Sequence, residues 1–253
     1  MHMTSFVTCV KLMPGYEDYA LRLKLYIECI AAGCSRYEII VVDDQTRDNV
    51  AFARDSFTDE WLAARNARII DYRADYPNPH KYNMIEAFAK NVGIREAKYD
   101  YVCVTNCDVL FNDAFFRLLE SLKPATFYRF LEYETAEVER WTLAGVRALF
   151  AGATCINPEL ADPATWTLKN IAYKSGDVML MDAASWKKVG GFPENEVWVH
   201  SDLIVCKVVH NNGLPVCVDP EAAVYTYPQE RARVAQPFEL ARTYDYYDRL
   251  ACN

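Results

Sequence analysis

Short apolar runs alternate with segments whose apolar residues recur at helical spacing, and this alternation restricts the fold of the 253-residue chain more than any other feature. Phe6 to Leu12 is apolar and is broken by Pro14-Gly15, as a buried strand running into a loop would be. Tyr16 to Ala32 places Tyr19, Leu23, Tyr26, Ile27 and Ile30 on one helical face and stops at Gly33. Glu38 to Val42 reads as a second buried strand, closing on Asp43-Asp44. The pattern continues with a strand at Arg68 to Tyr72, a helix at about Lys81 to Ala97, a strand at Tyr101 to Thr105 and a helix at about Asn112 to Leu122. Strands separated by helices return to the same edge and lie parallel, so the expected class is α/β, a mostly parallel sheet flanked by helices.

Beyond Pro124 the rhythm changes. Thr126 to Tyr133 is strand-like, while Glu134 to Asn170 has no single period and stays unassigned. Order returns with a strand at Asp177 to Met181, a short helix ending at Gly190-Gly191, a helix at about Asp202 to Asn212 and short strands near Val216 and Val224. The tail from Glu230 reads as helical. Without repeats, low-complexity tracts or linkers, the expectation is a single domain over 1–253, with halves at about 5–123 and 124–228 and a helical tail at 229–253.

Composition excludes several function classes. Thirty-five acidic against 27 basic side chains give a net charge of −8, which disfavours nucleic acid and anionic membrane surfaces. No apolar run reaches the ~20 residues that span a bilayer, and the N-terminus lacks a secretion signal. The nine cysteines form no CxxC pair, and Cys9, Cys103, Cys206 and Cys217 sit inside apolar runs as buried hydrophobes. A cytoplasmic setting, a host's cytoplasm if the source is viral, is the expectation.

Ligands of open α/β sheets bind at the carboxyl ends of the strands, so polar residues that follow apolar runs are the candidate site. In EIIVVDDQTRD, Asp43 and Asp44 leave a β-branched strand, where a carboxylate can accept from a base N–H or a ribose hydroxyl; a turn stabilised by Asp is the alternative. In YVCVTNCDVLF, alternation puts Asn106 and Asp108 on one side, as two oxygen ligands of a hard cation require; a helix N-cap at Asp108 is the alternative. In GGFPENEVWVHSDL, Asp202 stands at a helix start, either as a base accepting a hydroxyl proton or as a first-turn acid that suits the helix dipole. His200 beside it is a packing or capping residue on the same footing. The GxGxxG turn of a dinucleotide-binding dehydrogenase is missing after the first strand, where Lys11-Leu12-Met13-Pro14-Gly15 stands.

In this order the motifs resemble those of GT-A glycosyltransferases, in particular the family-two-like group. EIIVVDDQT is similar to that group's EIIVVDDGS strand. Asn91-Val92-Gly93-Ile94 through Asn106-Cys107-Asp108 resembles its NxG helix and DxD-type metal motif. Ser175-Gly176-Asp177-Val178-Met179-Leu180-Met181, Trp186, Gly190-Gly191-Phe192-Pro193 and His200-Ser201-Asp202 look like the GDFxLM, GGFPE and HxD motifs of a subgroup found in bacteria and large DNA viruses.

The resemblance implies a GT-A fold and an inverting transfer from a nucleotide-sugar, UDP- or dTDP-linked, to a hydroxyl of a glycan acceptor. It places Asp43 and Asp44 at the nucleoside, Asn106 and Asp108 at the metal diphosphate with Asp108 as metal ligand, Asp177 near the sugar or acceptor, and Asp202 as the catalytic base. The implied cofactor is Mn²⁺ or Mg²⁺. Two departures weaken the expected metal site: Asn106 replaces the first acid, and the final run Val224-Tyr225-Thr226-Tyr227 lacks the histidine often found there. A GT-A-like binding protein that has lost turnover is the alternative function.

Overall fold

The computed structural model describes residues 2–10, 12, 18–44, 53–72, 86–172, 177–194 and 201–228. The first half carries β1 (Thr4–Val10), α1 (Tyr19–Gly33), β2 (Tyr37–Asp44), α2 (Asp59–Ala63), β3 (Ala67–Tyr72), α3 (Glu86–Glu96), β4 (Tyr101–Asn106), β5 (Val109–Phe111) and α4 (Asp113–Leu118). The second carries β6 (Phe127–Glu134), α5 (Leu143–Arg147), β7 (Thr154–Cys155), α6 (Leu168–Ala172), β8 (Val178–Asp182), α7 (Ala183–Val189), α8 (Ser201–Asn211) and β9 (Val216–Thr226).

All nine strands join one sheet in the order β3-β2-β1-β4-β8-β6-β9-β5, with β7 beside β6. The first four are mutually parallel; β8 runs antiparallel to β4, and β5 antiparallel to β9. Strands buried on both faces need apolar residues at successive positions, and β2 supplies Ile39, Ile40, Val41 and Val42. Alternation then splits the core into two layers. Phe6, Ile39, Val41, Cys103 and Leu180 pack toward α1 and α4, whereas Val7, Ile40, Val42, Val104 and Met179 pack toward α3, α7 and α8.

Several boundaries differ from the sequence expectation for identifiable reasons. The apolar residues after Asp108 form the separate strand β5, and the following helix is capped by Asn112, whose side chain accepts from Phe115 N at 2.9 Å. The capping alternative for Asp108 is therefore overturned. The two short strands expected near Val216 and Val224 are one strand, β9. Its pairing with β6 shifts between Arg129 and Leu131, opposite a stretch that contains Pro220, which cannot donate to the ladder. The segment from 134 to 170 is a series of one-turn helices, 3₁₀ turns and the two-residue β7, too short to show any period. His200, Trp198 and the tail from 229 lie outside the described residues.

Candidate functional site

Strand register brings the candidate residues to one edge of the sheet. Val10 of β1 pairs with Asp43, Cys9 with Asn106, and Asp43 with Asp71 of β3, so β1 to β4 end level. β8 enters the sheet at that edge because it is antiparallel to β4, with Val178 opposite Thr105; Asp177 therefore arrives beside Asn106. β9 leaves the sheet there, with Thr226 opposite Val109, which sets Tyr227 across from Asp108.

A lysine that the sequence reading passed over ties these ends together. Lys90 of α3 is 1% exposed, and its Nζ donates to Glu86 Oε2 at 3.1 Å and to Asn106 Oδ1 at 2.9 Å. Asn106 Nδ2 in turn donates to Asp177 Oδ1 at 2.6 Å. Burial by itself lowers a lysine pKa, but the charge of Glu86 and, further off, that of Asp202 hold Lys90 well above the ordinary lysine value. It is a fixed cation at the strand ends. Asn106 thus turns its oxygen to an ammonium and its amide to a carboxylate, which gives the Asn in the DxD-type position an adaptor's role between Lys90 and Asp177.

Asp108, 3% exposed, lies in the turn between β4 and β5 and forms an ion pair with Arg22 Nη1 at 3.5 Å. Arg22 is held on its other side by Asp18, from Nε at 2.8 Å and Nη2 at 2.7 Å. The guanidinium lies over the rings of Tyr19, Trp141 and Tyr227 at 5.0, 5.8 and 5.2 Å. Among the described residues no three His, Cys, Asp or Glu side chains converge as a ready-made metal cage. The donor set fits a hard ion of the Mg²⁺ or Mn²⁺ kind that brings phosphate oxygens with it, since such ions need only one or two protein carboxylates. The charge balance points the same way: Asp43, Asp44, Asp108, Asp177 and Asp202 outnumber the neighbouring cations Lys90 and Arg22, so a diphosphate needs a counter-ion here.

Asp43 is fully buried at the end of β2. Its Oδ2 accepts from Ala53 N at 2.7 Å, which is the local turn role, while Oδ1 has no partner among the described residues. Burial pushes its pKa up to about 6, with Asp71 and Asp44 adding to the effect. Asp44 follows Asp43 and is 2% exposed.

The NxG helix and the GGFPE loop, recognised separately in the sequence, are one physical unit. Asn91 Nδ2 donates to Phe192 O at 2.8 Å and to Glu194 Oε1 at 2.9 Å, and Asn91 Oδ1 accepts from Phe192 N at 2.8 Å. Gly191 sits at φ +72°, and a Cβ there would stand 2.4 Å from Asn91 Oδ1, so the clamp requires glycine. Gly93 lets α3 approach β1 closely, since its Cβ would meet Val7 Cγ1 at 2.2 Å. This clamp fixes Phe192 and Glu194 against α3, and Asp202 is the second residue of α8.

Residues 1–349 of S. aureus TarS in complex with UDP-GlcNAc match with a TM-score of 0.69 at 14% identity, over 99% of this chain and 67% of that one. The chain has the GT-A fold. The UDP complex of the same TarS fragment matches with a TM-score of 0.66 at 14% identity, over 99% and 66% of the two chains. The mannosyltransferase PcManGT from Pyrobaculum calidifontis, in complex with GDP-Man and Mn²⁺, gives a TM-score of 0.55 at 13% identity, over 91% and 58%. The chain thus spans about two thirds or less of each of these structures. No protein-family model matches it, and no curated protein matches it by sequence.

The sequence analysis names the carboxylates at this edge and does not name Lys90 or Arg22. Each had a signal: a charged residue among small or apolar ones, Ala87, Ala89 and Gly93 around Lys90, Leu21 and Leu23 around Arg22. Among the aromatic residues of the second half, Tyr128 and Phe130 belong to the core, and Trp166 Nε1 donates to Leu160 O at 3.1 Å.

Proposed function

We propose that the chain is a glycosyltransferase that moves a sugar from a nucleotide-sugar, UDP- or dTDP-linked, to a hydroxyl of a glycan acceptor by a single inverting displacement. The observation that carries this reading is the register that gathers Asp43, Asn106 and Asp177 at one sheet edge, with Asp108 one turn beyond β4, in a chain whose fold is shared with proteins crystallised with UDP-GlcNAc and GDP-Man. In this reading Asp43, with Asp44 beside it, accepts from the nucleoside through its open Oδ1. Asp108 holds the diphosphate together with Mn²⁺ or Mg²⁺, whose charge assists departure of the leaving group. Asn106 orients Asp177 toward the sugar or acceptor, and Asp202 takes the proton of the attacking hydroxyl. The free thiols of the described cysteines support a reducing, cytoplasmic setting.

A thermal-shift screen of UDP-, dTDP- and GDP-sugars with and without Mn²⁺ tests donor binding, because a ligand bound only by the native state raises its melting temperature. Asp202→Asn then separates an enzyme from a binding relic. As a base variant it binds donor normally and loses roughly 10²–10⁴-fold in transfer rate; near-wild-type turnover would sink the assignment of Asp202.

A further inference from the structure

Among the described residues, the edge holds a buried polar group that the roles above leave unused. Tyr227, the residue after β9, is 2% exposed, and its hydroxyl has no hydrogen-bond partner among the described residues. A buried donor without an acceptor is costly, and natural structures keep few of them. Its neighbours define where that hydroxyl matters. The β5–β9 register sets Tyr227 across from Asp108, its ring lies 5.2 Å from the Arg22 guanidinium carbon, and Trp141 packs against it at 5.3 Å. Arg22 is equally prepared: two of its nitrogens are fixed by Asp18, three rings enclose it, and Nη1 points at Asp108 from 3.5 Å.

We propose that Arg22 and Tyr227 form a preorganised donor pair for the terminal phosphate of the leaving nucleoside diphosphate, next to Asp108. The inference rests on the nucleotide-sugar reading above. The ligand it requires is rich in acceptors and poor in donors, which a phosphate is: the planar guanidinium suits its oxygens and the phenol adds one neutral donor. Because both side chains are already ordered, binding loses little of their rotamer freedom. The pair would also act where charge grows as the sugar leaves, so it serves departure as well as binding.

The test compares UDP with uridine, and dTDP with thymidine, by calorimetry in Mn²⁺ for the wild type, Tyr227→Phe and Arg22→Gln. Tyr227→Phe keeps the ring on Arg22 and Trp141 and deletes the hydroxyl alone. It is expected to weaken binding of the diphosphate roughly tenfold, to leave nucleoside binding unchanged, and to melt no lower than the wild type. Arg22→Gln, checked for folding by circular dichroism, is expected to lose more. Wild-type diphosphate affinity in Tyr227→Phe, an equal loss for nucleoside and diphosphate, or a lower melting temperature without ligand each overturns the pair. If the wild type binds none of the four compounds, the nucleotide-sugar reading falls and the pair falls with it.

Discussion

Asp43 makes a quantitative prediction about pH. Its folded pKa of about 6 lies above the ordinary value of 3.8, so between those two values the folded chain holds more protons than the unfolded one. Stability contributed by this group therefore falls as pH rises, the reverse of a salt-bridged carboxylate. For one carboxyl with these two values the destabilisation is about 1 kcal/mol at pH 4.5 and about 3 kcal/mol at pH 7, a change of about 2 kcal/mol across the window. Asp43→Asn removes the titration and keeps an oxygen for Ala53 N. Urea unfolding followed by tryptophan fluorescence in half-unit steps from pH 4.5 to 7 should show the wild type losing about 2 kcal/mol relative to Asp43→Asn. Acids that do not interact with Asp43 contribute equally to both proteins and cancel in the difference, whereas Asp44 and Asp71 are relieved of its charge in the variant. A pH-independent difference, or a wild type that gains on the variant as pH rises, would refute the reasoning. The same residue links nucleotide binding to protons: if Oδ1 accepts from the base, binding at pH 6 releases about half a proton.

Asp108→Ala should weaken nucleoside diphosphate binding in Mn²⁺ at least tenfold with little effect on nucleoside binding, on the estimate of about 1.5–3 kcal/mol for an interaction with a charged partner; unchanged calorimetric affinity would contradict its role. Gly191→Ala should destabilise the protein by about 3 kcal/mol, from the left-handed backbone and two strained bonds to Asn91, with a matching fall in the urea midpoint. Lys90→Met should lower stability by about 1–3 kcal/mol, since Asn106 Oδ1 loses its buried donor while the half-exposed Glu86 can turn to water; a loss below about 1 kcal/mol would show that the network is not needed for the fold.

The legible parts of the chain were those where local chemistry and tertiary role coincide. β2 and β4 are apolar runs that end where the sheet ends, so Asp43, Asp44 and Asn106 were found at the right edge. Asp202 followed from the start of α8, whereas Asp177 came only from the resemblance of its Gly176-Asp177 run. What escaped was set by partners distant in sequence. Asn106 reads as an oxygen ligand in the sequence, and the bond its oxygen accepts from Lys90, 16 residues earlier, is not visible there. Arg22 gains its meaning from Asp108 and from Tyr227 at the far end of the described chain. Residues 134–170 were opaque because elements of two to five residues leave no periodicity to read.

The continuity of the sheet has a consequence for how the protein is made. β4, at the middle, is flanked by β1 on one side and by β8 on the other, and the β8 pairs run from Tyr101–Asp182 to Thr105–Val178. While a ribosome has released only the first half, β4 is an edge with Val102 and Val104 waiting for a strand more than seventy residues downstream. Such an edge is a template for pairing with other chains. Completion of the centre therefore waits on the second half of the chain, and Met179 and Met181 close this edge when β8 docks.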